Sequence, residues 1–277
     1  MHQYAPNHSH KPITWKHGKQ WLEHGLITFK AVKMFWYFIC FVLAILMSSV
    51  ELLAPSLVPL LVVFTSPFVA ALMMAFCQKQ QQGSNINPAE IGQMIYSNSS
   101  SLMILGLLGV VLSLFFQYLH DQLLIFWGLP TELTQTIIKN MAAKEALIRT
   151  ILNIFTNLPL AVAFTFSPAL ILFNQIQPFT AIQSSFSGVM YSWKAFVVLM
   201  LLFILVFMVI LLFAGFVIST MMMVFGAASN VFIEIMVFFF ILTFAGIAMS
   251  AQYHAYIDIY GINQQDDNPD EEMFTVL

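Results

Sequence analysis

Long apolar segments alternate with short polar ones along most of the chain. A helix needs about 20 apolar residues to cross a hydrocarbon layer about 30 Å thick. Six segments come close to or exceed this length: roughly 34–50, 57–77, 102–119, 150–173, 195–218 and 231–250. They lack the in-out alternation of a membrane β-barrel, and a helix satisfies its own backbone hydrogen bonds within the membrane. The pattern therefore predicts an all-α, polytopic transmembrane helical bundle of about six spans.

Three further segments have one apolar and one polar side, which is typical of helices that lie in the headgroup region. They are residues 15–33, 131–149 and 178–192. The first places its apolar side chains on one face: Trp21, Leu22, Leu26, Phe29 and Val32. We predict interfacial amphipathic helices here, the first directly before span one.

The two ends of the chain are polar and contain too few apolar residues to fold by themselves. The predicted organisation is a disordered, histidine-bearing head (1–14), an interfacial helix (15–33), a transmembrane domain (34–262) and a disordered acidic tail (263–277).

Composition narrows the class of protein. Of the 277 residues, 60% are hydrophobic and only 8% are charged, whereas soluble domains carry roughly 25% charge. This excludes a soluble enzyme and a disordered chain, and the chain has no basic surface of the kind that binds nucleic acid. The lipid bilayer is the expected environment.

The distribution of Lys and Arg predicts the orientation. Five lysines lie within residues 1–33, and cytoplasmic segments carry an excess of basic residues. Six spans then place both termini in the cytoplasm. Lys139, Lys144 and Arg149 oppose this assignment, because they fall in the segment predicted to lie outside. No secretory signal peptide is evident, and we expect the N-terminus to be retained.

A row of polar side chains on span four is the main candidate for chemistry. Arg149, Asn153 and Asn157 are four residues apart and therefore share a helix face. Such residues can line a substrate path, or they can bond neighbouring helices and lie at a wet helix end. Glu51, His120, Asp121 and Glu234 are predicted on the same outer side.

Histidines and cysteines give weaker signals. His2, His8, His10, His17 and His24 could bind a transition metal, but we favour a solvated head as their explanation. His254 and Asp258 form an i, i+4 pair for which we expect a structural role at a helix end. Cys40 and Cys77 lie in apolar runs and are expected to be packing residues. We expect no metal, no cofactor and no catalytic residue, since no catalytic or nucleotide-binding motif is present.

The chain contains a weak internal repeat. Ser66-Pro67 lies in span two, and Pro88 follows eight residues before Tyr96-Ser97. Ser167-Pro168 lies in span four, and Pro178 follows eight residues before Phe186-Ser187. Both copies would run in the same direction through the membrane, as parallel repeats do in some transporters.

Several short motifs carry a resemblance to a known family. They are Trp21, Gly25 and Phe29; Ser167-Pro168-Ala169-Leu170; Ala181-Ile182, Ser185-Phe186 and Trp193; and Tyr253, Tyr256 and Asp258-Ile259-Tyr260. With these residues the chain resembles an uncharacterised family of proteobacterial multi-spanning inner-membrane proteins. That family is similar to the membrane domain fused to some glycerophosphodiester phosphodiesterases. The resemblance covers about residues 20–260 and implies a six-helix bundle in a bacterial inner membrane, without an established activity.

Two functions remain open from the sequence. The first is a non-enzymatic accessory or scaffold protein in envelope or lipid-related processes, with an acidic tail suited to a basic protein partner or to the basic head. The second is a small permease whose polar path is lined by Arg149, Asn153 and Asn157.

Overall fold

The computed structural model describes residues 13–83, 86–132, 141–225 and 230–261. Within these ranges the chain forms helices and no strand. The helices are α1 (Trp15–Leu53), a 3-10 turn (Pro55–Leu57), α2 (Val58–Gln81), α3 (Pro88–Ser97), α4 (Ser99–Phe126), α5 (Ala143–Thr165), α6 (Ser167–Asn174), α7 (Pro178–Tyr191), α8 (Trp193–Phe225) and α9 (Asn230–Tyr260).

Among the described residues, six helical segments are long and apolar enough to cross a membrane. They are α1, α2 with its preceding 3-10 turn, α4, α5 together with α6, α8 and α9. Each predicted span lies almost entirely within one of them. The predicted all-α, multi-pass architecture is therefore confirmed, and the chain is a polytopic membrane protein.

The helices run alternately between two ends of the bundle. We call the end at which α1 begins and α9 ends the proximal end, and the end with the turn at Ala54-Pro55 the distal end. Helices α2 and α4 are antiparallel, and Gly106 lies against the Phe64 carbonyl. Helices α1 and α8 are parallel, and the rings of Trp15 and Trp193 meet at the proximal end. The short helices α3 and α7 both lie at the proximal end.

The structure corrects the predicted boundary after residue 33. Residues 15–33 are the first half of α1, a continuous helix of 39 residues, and do not form a separate interfacial helix. Their apolar side packs against protein: Gly18 lies against Ala195 of α8, and Gly25 lies against Ala251 of α9. Sequence periodicity could not distinguish these partners from lipid, because both require the same apolar stripe.

The other segments agree with the prediction to different extents. Residues 178–191 form α7, close to the predicted segment 178–192. In the predicted helix 131–149, residues 133–140 lie outside the described residues, and α5 begins at Ala143. The predicted disordered head and acidic tail also fall outside them, apart from Ile13 and Thr14.

Tight packing is concentrated in the proximal half. The core between α2, α4 and α6 is apolar and fully buried, and includes Met73, Met74, Leu102, Leu105 and Ile171. In the distal half, by contrast, α8 exposes large apolar side chains around most of its circumference. An apolar surface of this extent suits contact with hydrocarbon.

The elements of the predicted repeat recur in the same order. In each copy a span runs to the proximal end and is followed by a short helix that begins with proline. A single junction residue then separates this short helix from the next span. The junction residues have similar backbone angles: φ −105° and ψ 7° at Asn98, and φ −103° and ψ 18° at Ser192. The copies differ in span four, which is divided into α5 and α6.

Candidate functional site

The proximal end of α9 bonds to three neighbouring helices through a row of tyrosines. The Tyr253 hydroxyl donates to Gln81 Oε1 of α2 at 2.9 Å. The Tyr256 hydroxyl donates to Asn174 of α6, and the Tyr260 hydroxyl donates to the Ser184 carbonyl of α7 at 2.6 Å. Because all three phenol rings are buried, water cannot serve as the hydrogen-bond partner of their hydroxyls. These bonds provide the partners instead.

The same end of α9 bonds to α1 through polar groups. Trp21 Nε1 donates to the Asp258 carboxylate, and the Thr28 hydroxyl lies 2.8 Å from His254 Nε2. The His24 and His254 rings meet edge to face. The His254–Asp258 pair, for which we expected a structural role at a helix end, therefore joins two helices across their seam.

An aromatic cluster surrounds the point at which span four is interrupted. The Phe166 ring contacts Phe196 of α8 and Tyr256 and Tyr260 of α9, with ring centroids 5.5–6.3 Å apart. Trp21 of α1 contacts Phe196 in turn. The cluster therefore joins α1, α8 and α9 to the chain at the junction of α5 and α6.

The interruption of span four has an identifiable cause and a specific partner. Pro168 lacks an N–H, and its ring is incompatible with the carbonyl four residues earlier in an ideal helix. At Phe166 the backbone N–H donates to Ser185 Oγ at 2.9 Å, and Ser185 Oγ donates to the Val162 carbonyl at 2.9 Å. The hydroxyl of Ser185 thus stands between the two groups that would bond directly in a continuous α-helix.

Two further side chains satisfy carbonyls near the interruption. Gln252 Nε2 of α9 donates to the Thr165 carbonyl. The Ser167 hydroxyl donates to the Ala163 carbonyl at 2.6 Å. Helices α7 and α9 therefore both supply hydrogen bonds to span four where its own ladder is broken.

The predicted polar row on span four has a different role in the structure. Arg149 donates from its guanidinium to the carbonyls of Pro130 and Thr131 at 2.6 and 2.8 Å. Asn157 donates to the Asn153 carbonyl of its own helix at 2.9 Å, and both asparagine side chains are exposed. Asn157 and Asn153 are thus joined by a hydrogen bond within their own helix. Arg149 instead bonds to the segment before α5.

The predicted outer polar residues differ in their surroundings in the structure. His120 is buried beside the Thr156 hydroxyl at 3.4 Å, and Asp121 accepts from Gln117 of its own helix. Glu51 and Glu234 are exposed. His120 therefore contributes to the contact between α4 and α5.

Metal-binding side chains do not converge in the part of the chain that the structure describes. No group of three His, Cys, Asp or Glu residues there could hold an ion. His2, His8 and His10 lie outside the described residues. Cys40 and Cys77 are buried free thiols, in agreement with the expected packing role, and Cys77 lies 3.7 Å from the Ser250 hydroxyl.

Ser185 and the three tyrosines were visible only as motif residues, their hydrogen bonds were not predicted, and Gln252 was missed. One signal was present: Ala181, Ser184, Ser185 and Gly188 form a stripe of small residues, which indicates close helix packing. The partner of Ser185 lies 19 residues away in the sequence, and no periodicity specifies such a pairing.

Fold and site together define a class: a multi-pass helical membrane protein whose helices are held together at the proximal end by buried hydrogen bonds and aromatic contacts. No protein-family model matches the chain, and comparison with curated proteins and with solved structures finds no match.

Proposed function

We propose that the chain is a non-enzymatic accessory or scaffold protein of a bacterial inner membrane that acts in envelope or lipid-related processes. The observation that carries this proposal is the tightly packed, hydrogen-bonded proximal end. Helices α1, α2, α6 and α7 all bond there to α9. Such a cross-linked end is suited to hold a fixed surface for a partner.

The apolar core also favours a scaffold over a water-filled path. Fully buried Met73, Leu102 and Ile171 fill the proximal half between α2, α4 and α6. A polar solute that followed α5 from the distal end would meet this packing. Moving it would require the separation of close-packed side chains.

The charges of the described residues support cytoplasmic termini. The basic residues in the proximal half are Lys16, Lys19, Lys30, Lys33, Lys79 and Lys194, whereas those in the distal half are Lys144 and Arg149. Cytoplasmic segments carry the excess of Lys and Arg. The proximal end would then face the anionic cytoplasmic leaflet, where each lysine contributes about 1 kcal/mol of attraction.

The acidic residues of the tail, between Asp266 and Glu272, give the proposal a partner site. At the cytoplasmic face they would recruit a basic protein surface, or bind the basic head. Neutralising these residues should reduce crosslinking between the tail and whichever basic segment it contacts.

A small permease is the second candidate. The interruption of span four favours it, because discontinuous helices occur at transport sites. Its polar path would use Arg149, Asn153 and Asn157. Their contacts in the structure, to local backbone carbonyls, make this the weaker of the two proposals.

A rescue experiment separates the two candidates. A strain that lacks the chain and shows an envelope phenotype would receive either a triple alanine variant of Arg149, Asn153 and Asn157, or a variant with the tail carboxylates neutralised. At equal membrane levels, the scaffold proposal expects rescue by the first variant and failure of the second. Failure of the first with rescue by the second would support the permease and overturn the scaffold.

A further inference from the structure

We propose that α7 is a latch that holds span four in a bent form, interrupted at Phe166, and that its release lets span four adopt a straighter form, a continuous helix that Pro168 still kinks. The inference does not depend on the scaffold proposal. It rests on the Ser185 hydroxyl, which occupies the position of a helical hydrogen bond between Phe166 and Val162.

Both forms of span four can pair the Phe166 N–H and the Val162 carbonyl. In the bent form, Ser185 accepts from the Phe166 N–H and donates to the Val162 carbonyl. In the straighter form, the Phe166 N–H would donate directly to the Val162 carbonyl, as in any α-helix. The freed Ser185 hydroxyl can donate to the carbonyl four residues earlier in α7, as serine commonly does in helices. Pro168 supplies no N–H to the Phe164 carbonyl in either form, so this carbonyl does not favour one form over the other. The position of α7 therefore decides between them.

Contacts away from the interruption hold α7 in place. The Tyr260 hydroxyl donates to the Ser184 carbonyl, and it lies directly over Gly188, where an added Cβ would be 2.2 Å from it. Tyr260 therefore fixes α7 beside α9 while Ser185 joins α7 to span four. A partner that displaces α7 at the proximal end would therefore change the orientation of α5.

The experiment measures the distance between the distal ends of α2 and α5 in the full chain, reconstituted in lipid nanodiscs. Spin labels would be placed at Ser56→Cys and Lys144→Cys, in a background in which Cys40 and Cys77 are replaced by alanine. Ser185→Ala removes both bridging hydrogen bonds. Ser187→Ala is the matched control, because Ser187 is an exposed serine of the same helix.

We expect one main distance in the parent and in the Ser187→Ala control, and a second distance in Ser185→Ala. A hydrogen bond worth about 1.4 kcal/mol corresponds to a tenfold change in an equilibrium, so the ratio of straighter to bent molecules should rise by about tenfold or more. Identical distance distributions for Ser185→Ala and the parent would overturn the proposal.

A second variant acts without altering the interruption. Tyr260→Phe removes the hydrogen bond that holds α7 to α9 and keeps the aromatic ring. It should shift the same distance in the same direction, by a smaller amount. If Ser185→Ala fails to fold, this variant alone decides, and an unchanged distribution contradicts the latch.

Discussion

At the scale of single residues, one backbone conformation stands out at the end of α6. Gln175 has φ 53° and ψ 32°, the left-handed region, and it is the only described residue other than glycine with a positive φ. Its N–H donates to the Ile171 carbonyl at 3.2 Å and so closes the helix. Left-handed caps of this kind favour glycine, because a side chain costs free energy there.

Gln175→Gly should therefore stabilise the protein, by about 1 kcal/mol. The measurement is thermal unfolding in detergent. Gln183→Gly provides the control, because Gln183 is an exposed residue inside α7. There the same substitution should lower the free energy of unfolding by about 0.5–1 kcal/mol. Equal destabilisation by both changes would show that the end of α6 does not need the left-handed conformation.

Two glycines give a second contrast at this scale. A Cβ at Gly25 would lie 2.6 Å from the Ala251 backbone nitrogen, whereas a Cβ at Gly92 would meet nothing within 4 Å. Gly25→Ala should therefore force α1 and α9 apart and destabilise the protein by about 1–3 kcal/mol. Gly92→Ala should stabilise α3 by about 0.5–1 kcal/mol. Thermal unfolding of both variants checks the opposite signs, and a neutral Gly25→Ala would contradict the close α1–α9 seam.

At the scale of elements, the spans were predictable and their partners were not. Apolar length alone located all six spans. Pro168 was visible in the sequence, but the interruption also depends on Ser185 and Gln252, which are distant along the chain. The first half of α1 was predicted to lie at the membrane surface because it has an apolar face. Such a face is equally suited to contact lipid or another helix, and in the structure α9 covers it.

The ion pair that joins α2 to α3 depends on pH. Lys79 Nζ donates to Glu90 at 3.1 Å, and Asn87 donates to the other carboxylate oxygen at 3.3 Å. Hydrogen bonding to Lys79, its charge and the Asn87 amide together lower the pKa of Glu90 below its ordinary value. The contact therefore stabilises the folded state above that ordinary value, and the stabilisation is lost as the pH falls through the lowered pKa.

We expect α3 to become more accessible to protease as the pH falls from about 7 to about 3, because the Glu90 carboxylate is fully ionised at the upper pH and begins to be protonated toward the lower one. An acid-tolerant protease and mass spectrometry of the α3 cleavage products would measure the change. In Glu90→Gln the difference between the two pH values should shrink, because the titrating group is gone. An undiminished difference in that variant would assign the effect to another group.

At the scale of the whole molecule, packing and charge are both unevenly distributed. The proximal half has the buried core, the tyrosine bonds and most of the lysines, while the distal half of α8 exposes its apolar side chains. In the proposed orientation, the hydrogen-bonded proximal end faces the cytoplasm, and the distal end lies at the opposite side of the membrane.

Labelling with a membrane-impermeant maleimide tests this account most directly. Single cysteines would be placed at exposed Gln80 near the proximal end and at exposed Ser56 at the distal end, in the background without Cys40 and Cys77. In intact bacterial spheroplasts, Ser56→Cys should be labelled, and Gln80→Cys should be labelled only after the membrane is permeabilised. Labelling of Gln80→Cys in intact spheroplasts, with Ser56→Cys protected, would contradict the orientation on which the proposed function depends.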